Sequence, residues 1–407
     1  MRRTQPLALA CAAAASLLCA CPGPATSDPD TGRPTADAST SASDASPTAS
    51  DASTPAADAS TLATDAGAPA ADAGLCSPFS EDVTGCSKAP TDYQPRQGHL
   101  ESNGWPACVS DDNTWHLIGT DVPAASARSA AYDQMAALLW DNPVTPTKAD
   151  FLAARDAYSV DSGLASRVAR RQDIHYDEVP GGDKFACQQA GVPAQYPDRC
   201  TGPATLKPLI DQAFEQGLAG SSPRLQAARI RAGLDWFLYL SLGSEIWTCS
   251  FNNLADCDSA AGYYSQLSAR SEPKGIARSI AALGPETHER IHDALLAARC
   301  WRDADQAMPT TNTALYDLAQ AQLHQAALRG MGLLLRDQIS RIACSTGEER
   351  DVHAVYAKTL GTLLSHDAGL IDAAEAAKLK AYTNTPTSEP ADVAAALASI
   401  DQIFECP

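Results

Sequence analysis

The sequence predicts an all-α fold: a single large helical domain of about ten antiparallel helices with disulfide-stapled loops, set behind a disordered spacer. Three observations predict it. From residue 124 onward, apolar residues recur with the 3.6-residue period that places them on one helix face. Runs of alternating β-branched residues, the mark of half-buried strands, are nearly absent. Turn chemistry such as Asn103-Gly104-Trp105-Pro106, Asp111-Asp112-Asn113 and Pro180-Gly181-Gly182 falls between the periodic stretches.

Taken in order, residues 76–120 read as loop, and 124–140 as a helix with Ala131, Met135, Leu138 and Leu139 on its apolar stripe. Thr147 caps a helix over 148–158, with Asp150 in the N3 place of a capping box. Asp161 starts a helix over 162–172, and a long loop follows from His175 to Thr201. Further helices are expected at 203–219, 223–248, 258–270, 285–306, 312–343, 348–364, 368–382 and 389–404. The segment Leu234–Trp247, LDWFLYLSLGSEIW, is apolar around most of its circumference. It falls short of the ~20 residues a bilayer requires, which makes it a central buried helix. Gly233 and Gly243 would let neighbouring helices approach it closely. The stretch 271–285 is a candidate sub-boundary within the domain at 76–407.

The N-terminus begins Met1-Arg2-Arg3, continues through an apolar run from Pro6 to Leu18, and reaches Cys19-Ala20-Cys21. A basic start followed by a short apolar run is a secretory signal. Leu18-Cys19-Ala20-Cys21 resembles the lipobox of bacterial lipoproteins, a likeness that covers about 20 residues. The resemblance implies a signal peptide over 1–21, with Cys21 lipidated, palmitate-type, as the first mature residue. Two or more acyl chains give stable anchoring. The competing account is an ordinary signal peptide cut at a small residue. Pro22, where an Asp would mark inner-membrane retention, leans the expected address towards the outer membrane of a bacterial cell envelope.

Residues 22–75 are low-complexity Ala, Ser, Thr, Asp and Pro, with Asp30, Asp37, Asp44, Asp51, Asp58, Asp65 and Asp72 at heptad spacing. A coiled coil would need large apolar residues at two positions of the heptad and no prolines, and the repeat fails both conditions. The segment cannot bury enough surface to offset its chain entropy, so it reads as a spacer with a span of roughly 40 Å. The formal charge is −19, of which −7 lies in this spacer and −14 in residues 76–407. Such acidity excludes nucleic-acid binding driven by Lys and Arg, and also a basic membrane-surface helix. The lipid is then the only expected membrane contact.

Of 13 cysteines, ten follow the spacer: Cys76, Cys86, Cys108, Cys187, Cys200, Cys249, Cys257, Cys300, Cys344 and Cys406. An even number in an exported domain suggests up to five disulfides, formed in an oxidising compartment. No pair has the short spacing of a zinc knuckle, and connectivity stays open.

The sharpest chemical motif is His288-Glu289-Arg290-Ile291-His292, which matches the HExxH signature of zinc metallopeptidases. His288 and His292 share a helix face and so could bind one Zn²⁺, with Glu289 taking a proton from metal-bound water. The context pulls against this. Arg290 occupies a variable position, Glu286 and Asp293 flank the motif, and Pro285 places it in a first helical turn. Leu295 and Ala298 stand where an extended motif needs Gly and a third His, and a glutamate ligand would have to come from Glu348 or Glu349. The alternative is a solvated first turn whose acids complement the helix dipole.

Asp235 and Glu245 are carboxylates in the apolar central helix, to be paired with an Arg such as Arg229 or Arg231 or else to line a ligand or metal pocket. Asp173, His175, Asp177 and Glu178 cluster beside Arg170 and Arg171, as a metal site or as surface charge. His324, His353 and His366 read as single helix-face residues. Trp236, Phe237, Tyr239, Trp247, Tyr263 and Tyr264 read as core. The leading expectation is a non-catalytic binding module for a small ligand, metal or envelope protein. The alternatives are a zinc metallopeptidase-like enzyme using His288, Glu289 and His292, and metal capture by buried carboxylates and His, with Zn or Fe as the ion.

Overall fold

The computed structural model describes residues 88–95, 104–160, 163–182, 186–251, 253–307 and 310–405. The lipobox, the spacer and Cys76, Cys86 and Cys406 lie outside the described residues. The described residues contain no strand and form thirteen α-helices in a single helical domain. The first are α1 (Ala124–Leu139), α2 (Lys148–Ser159), α3 (Leu164–Val168) and α4 (Val192–Gln195). A π-turn over Gly202–Leu206 then leads into α5 (Lys207–Leu218), followed by α6 (Pro223–Phe251), α7 (Ala255–Ser265) and α8 (Ile276–Leu283). The remainder are α9 (Pro285–Ala304), α10 (Thr313–Cys344), α11 (Gly347–Ile371), α12 (Ala373–Asn384) and α13 (Pro390–Ile403).

Two long helices organise the domain. α6 packs against α5, α7, α10 and α11, while α10 packs against α6, α8, α9, α11 and α13. Both are covered on several sides, which is why Trp236, Phe237, Leu238, Leu240 and Leu242 of α6 are all buried. Burying apolar side chains around a full helix, at roughly 25 cal/mol per Å², is what places α6 at the centre. Among the described residues no helix is long and apolar enough to cross a membrane.

Several boundaries depart from expectation for identifiable reasons. The expected helix over 162–172 shortens to α3, because the chain beyond it is captured by a neighbouring loop: Asp173 N–H donates to Arg199 O at 2.9 Å, and Gly202 N–H to Arg171 O at 2.8 Å. α7 ends at Ser265, where Gln266 and Leu267 adopt positive φ. The stretch 271–285 is bridged by α8, which packs on α9 and α10. The expected break between 364 and 368 falls instead at Asp372, whose carboxylate accepts from the N–H groups of Ala374 and Glu375 at 2.9 and 3.0 Å.

Three disulfides join described cysteines: Cys108–Cys300, Cys187–Cys200 and Cys249–Cys257, with Cα–Cα distances of 5.2, 5.3 and 5.3 Å. Cys344 is disulfide-bonded as well. These bonds are compatible with an oxidising compartment.

Candidate functional site

The HExxH segment lies in the first turns of α9, capped by Gly284, but the solvated turn expected there is not what forms. His288 and His292 are buried, beneath the segment around Arg270 and beside Lys88. His288 Nε2 donates to the carbonyl of Arg270 at 3.1 Å, so its Nδ1 is the acceptor for the hydroxyl of Tyr264 at 2.9 Å. Both ring nitrogens are committed. His292 Nδ1 accepts from the Arg270 guanidinium at 3.2 Å, and the same guanidinium pairs with Glu289 and Asp293. Lys88 holds the second oxygen of Asp293 at 2.9 Å. Glu289 is thus paired with Arg270, and the neighbouring Asp293 with both Arg270 and Lys88. Burial first, then the positive charge of Arg270, holds His292 down to about pKa 3, and burial lowers His288 as well. His288, Glu289 and His292 thus belong to a hydrogen-bond and ion-pair network centred on Arg270, in which both histidines are buried and Glu289 is partly exposed.

The central carboxylates resolve differently from each other. Asp235 accepts from the hydroxyls of Tyr132 and Tyr356, each at 2.6 Å, and lies 3.8 Å from Arg231. It knots α1, α6 and α11 together in the core, and burial raises its pKa against the pull of Arg231 and the two hydroxyls. Glu245 pairs with Arg171 at 3.2 Å. Arg229 serves neither carboxylate, since it bonds Gln216 and Gln226. His353 is likewise structural, with Nδ1 at 2.8 Å from Gln338 Oε1 and Nε2 at 3.3 Å from Glu349.

The arrangement with unspent chemistry is elsewhere. A cavity of about 620 Å³ opens between the loop at 174–178, α6 and α10. Leu242, Ile246, Leu323 and Ala327 give it apolar walls, and Asp177, Glu178 and Asp317 stand among its lining residues. Trp247, expected in the core, instead stands 36% exposed on this wall. Gly243 also faces it: a Cβ there would meet nothing nearer than Ile174 Cδ1 at 3.8 Å. Gly233 is the glycine that serves packing, because a Cβ there would come within 2.9 Å of Leu209 on α5.

His175, His324 and Asp367 converge beside this cavity. One ligand atom from each lies within 4.8 Å of the others. They come from a loop, α10 and α11, so three separate elements build the cluster. The order around it is specific. Asp173 Oδ1 lies 2.9 Å from His175 Nδ1 and also accepts the His175 N–H at 3.0 Å. Asp367 Oδ2 lies 3.4 Å from His175 Nδ1 and accepts from the Tyr239 hydroxyl at 2.9 Å. Asp367 Oδ1 is buried with no hydrogen-bond partner. Arg199 fixes the loop from behind, donating to the carbonyls of Asp173 and Tyr176 at 2.9 and 2.6 Å. His366 stacks on Tyr176 with ring centroids 3.8 Å apart. Burial opposes charge on His175, but the hydrogen bond to Asp173 and the charges of Asp367 and Asp173 outweigh it and raise its pKa. Burial also raises the pKa of Asp367.

The acidic loop flagged in the sequence therefore divides: Asp173 and His175 turn inward, while Asp177 and Glu178 stay exposed at the cavity. His324, read as a single helix-face residue, is a member of the cluster. Asp367 went unflagged, yet it left a signal. It shares an apolar stripe with Leu360, Leu364 and Ala368, all buried, and a carboxylate in such a stripe has to be partnered or functional. Compared with known proteins, the chain matches no family model, no curated protein and no solved structure.

Proposed function

We propose that this chain is an exported, lipid-anchored helical binding protein, and that its ligand enters the cavity between the 174–178 loop, α6 and α10. The cavity carries the reading: at about 620 Å³ it has the size of a small-molecule site, with apolar walls and a few convergent polar groups. Its charge selects the occupant. Asp177, Glu178 and Asp317 line it, Asp367 sits behind, and Arg199 is turned onto backbone carbonyls. A ligand with an apolar or aromatic body and a cationic or hydrogen-bond-donating group fits that balance. The ring of Trp247 offers the body a stacking surface. The lipobox resemblance at Cys21 and the acidic spacer support a domain tethered at the cell envelope, and the disulfides suit that setting.

The test is ligand-observed NMR on EDTA-treated protein with two fragment sets, aryl-alkyl amines and aryl-alkyl carboxylates of equal size. The amines should bind and perturb Trp247 fluorescence, and Gly243→Phe, which fills the cavity, should abolish both signals. Binding that is indifferent to Gly243→Phe, or confined to the carboxylates, would overturn the reading.

A further inference from the structure

We propose that His175, His324 and Asp367 form a three-ligand site for a divalent first-row transition ion of the zinc class, with its open coordination position facing the cavity. The donor set is two imidazole nitrogens and one carboxylate oxygen, a combination suited to such ions. The site goes beyond the binding function and stands on its own observations.

Four features argue for it. First, the ligand atoms already lie within 4.8 Å of one another. A tetrahedral ion with bonds of about 2.0–2.1 Å needs them roughly 3.3 Å apart. The closure is small, and His324 is exposed on the cavity side of α10, where its ring can rotate to make it. Second, Asp367 is only 2% exposed, yet its Oδ1 has no hydrogen-bond partner. Leaving a buried carboxylate oxygen without a hydrogen bond is costly even where the other oxygen is partnered, and a coordinated cation is what would satisfy it. Third, the outer contacts are those that orient metal ligands. Asp173 holds the His175 ring by one nitrogen, and the Tyr239 hydroxyl holds Asp367 by its other oxygen. Fourth, Arg199, the one Arg or Lys among the described lining residues, is spent on the carbonyls of Asp173 and Tyr176. At His292, by contrast, Arg270 points a guanidinium into the ring.

The competing account is that Asp173 and Asp367 share one imidazolium on His175, with His324 uninvolved. Zn²⁺ titration separates the two. The full chain, stripped with EDTA and free of affinity-tag histidines, is titrated with Zn²⁺ by calorimetry and with Co²⁺ by absorbance. One equivalent of Zn²⁺ should bind with a micromolar or tighter Kd, and Co²⁺ should show the visible bands of a four- or five-coordinate ion. His324→Ala and Asp367→Asn should each weaken Zn²⁺ at least tenfold, whereas His116→Ala, at an exposed site, should leave it unchanged. His324→Ala keeps the test decisive if Asp367→Asn fails to fold, because His324 is on the surface of its helix. Absence of stoichiometric Zn²⁺ binding, or binding untouched by His324→Ala, overturns the site. The amine fragments are screened without metal, so loss of Zn²⁺ binding leaves the cavity reading standing, and the reverse also holds.

Discussion

The guanidinium of Arg270 donates to Nδ1 of His292 at 3.2 Å while it pairs with Asp293 one residue further on. An imidazole in that position is kept neutral. In the unfolded chain a histidine titrates near 6.5, whereas His292 is held to about 3 in the fold. Between those values the unfolded state binds a proton that the native state refuses. The stability contributed by neutral His292 is therefore complete above about pH 6.5 and declines as pH falls towards 3, by up to about 1.4 kcal/mol per pH unit. His288 and His353, also lowered, act in the same direction, while His175, raised, acts in the opposite one. Urea unfolding at pH 7 and pH 5 should show a lower midpoint at pH 5. His292→Asn, whose amide can still accept from Arg270, should flatten that dependence; an unchanged slope would remove His292 as its source.

The Asp235 knot predicts a difference between two substitutions at one position. Asp235→Ala leaves the hydroxyls of Tyr132 and Tyr356 and the charge of Arg231 without their partner in the core. The expected cost is about 3–5 kcal/mol in chemical unfolding. Asp235→Asn keeps the shape and part of the hydrogen bonding, and burial already disfavours the charge, so its cost should stay near 1 kcal/mol. Equal losses for both variants would mean that packing, rather than hydrogen bonding, sets the value of this residue.

The disulfides differ in the loops they close. Cys108–Cys300 spans a sequence separation of 192, and Cys249–Cys257 only 8. Loop entropy in the unfolded chain then predicts a loss of about 5 kcal/mol for the double Ser variant of the first and about 2.5 kcal/mol for the second. Comparing the two by guanidinium unfolding checks the ranking. The long bridge also ties the 3₁₀ turn at Val109–Asp112 to α9, so its removal should speed amide exchange in residues 104–116 first.

Two glycines should respond with opposite sign to the same change. A Cβ on Gly262 of α7 would meet the backbone nitrogen of Ser126 on α1 at 3.0 Å, which cannot yield without moving a helix. Gly262→Ala is expected to cost about 1–3 kcal/mol. Gly243 has room, and Gly243→Ala should gain up to about 1 kcal/mol from helix propensity. Thermal unfolding of the two single variants would show it.

Helices are legible in this sequence wherever one face repeats: Ala131, Met135 and Leu139 mark α1, and Thr147 with Asp150 marks the start of α2 by a cap that forms as read. Breaks imposed by distant partners are not legible. Nothing near Val168 announces that Arg199 and Gly202 will take the backbone beyond it. The same asymmetry governs the site. HExxH stands out because its residues are adjacent, but its fate is set by Arg270 and Lys88, which no local spacing reveals. His175, His324 and Asp367 are scattered over nearly 200 residues, and only the packing of α10 and α11 against the 174–178 loop brings them within one ion's reach.

Arg199 is the neighbour of Cys200 in the chain, and Cys200 is bridged to Cys187. The residue that fixes the carbonyls of Asp173 and Tyr176 is thereby fastened to a cystine whose halves lie 13 apart in sequence. The 174–178 side of the cavity is then held in part by a covalent bond, and reducing Cys187–Cys200 should loosen that loop before it disturbs the packing of α6 against α10.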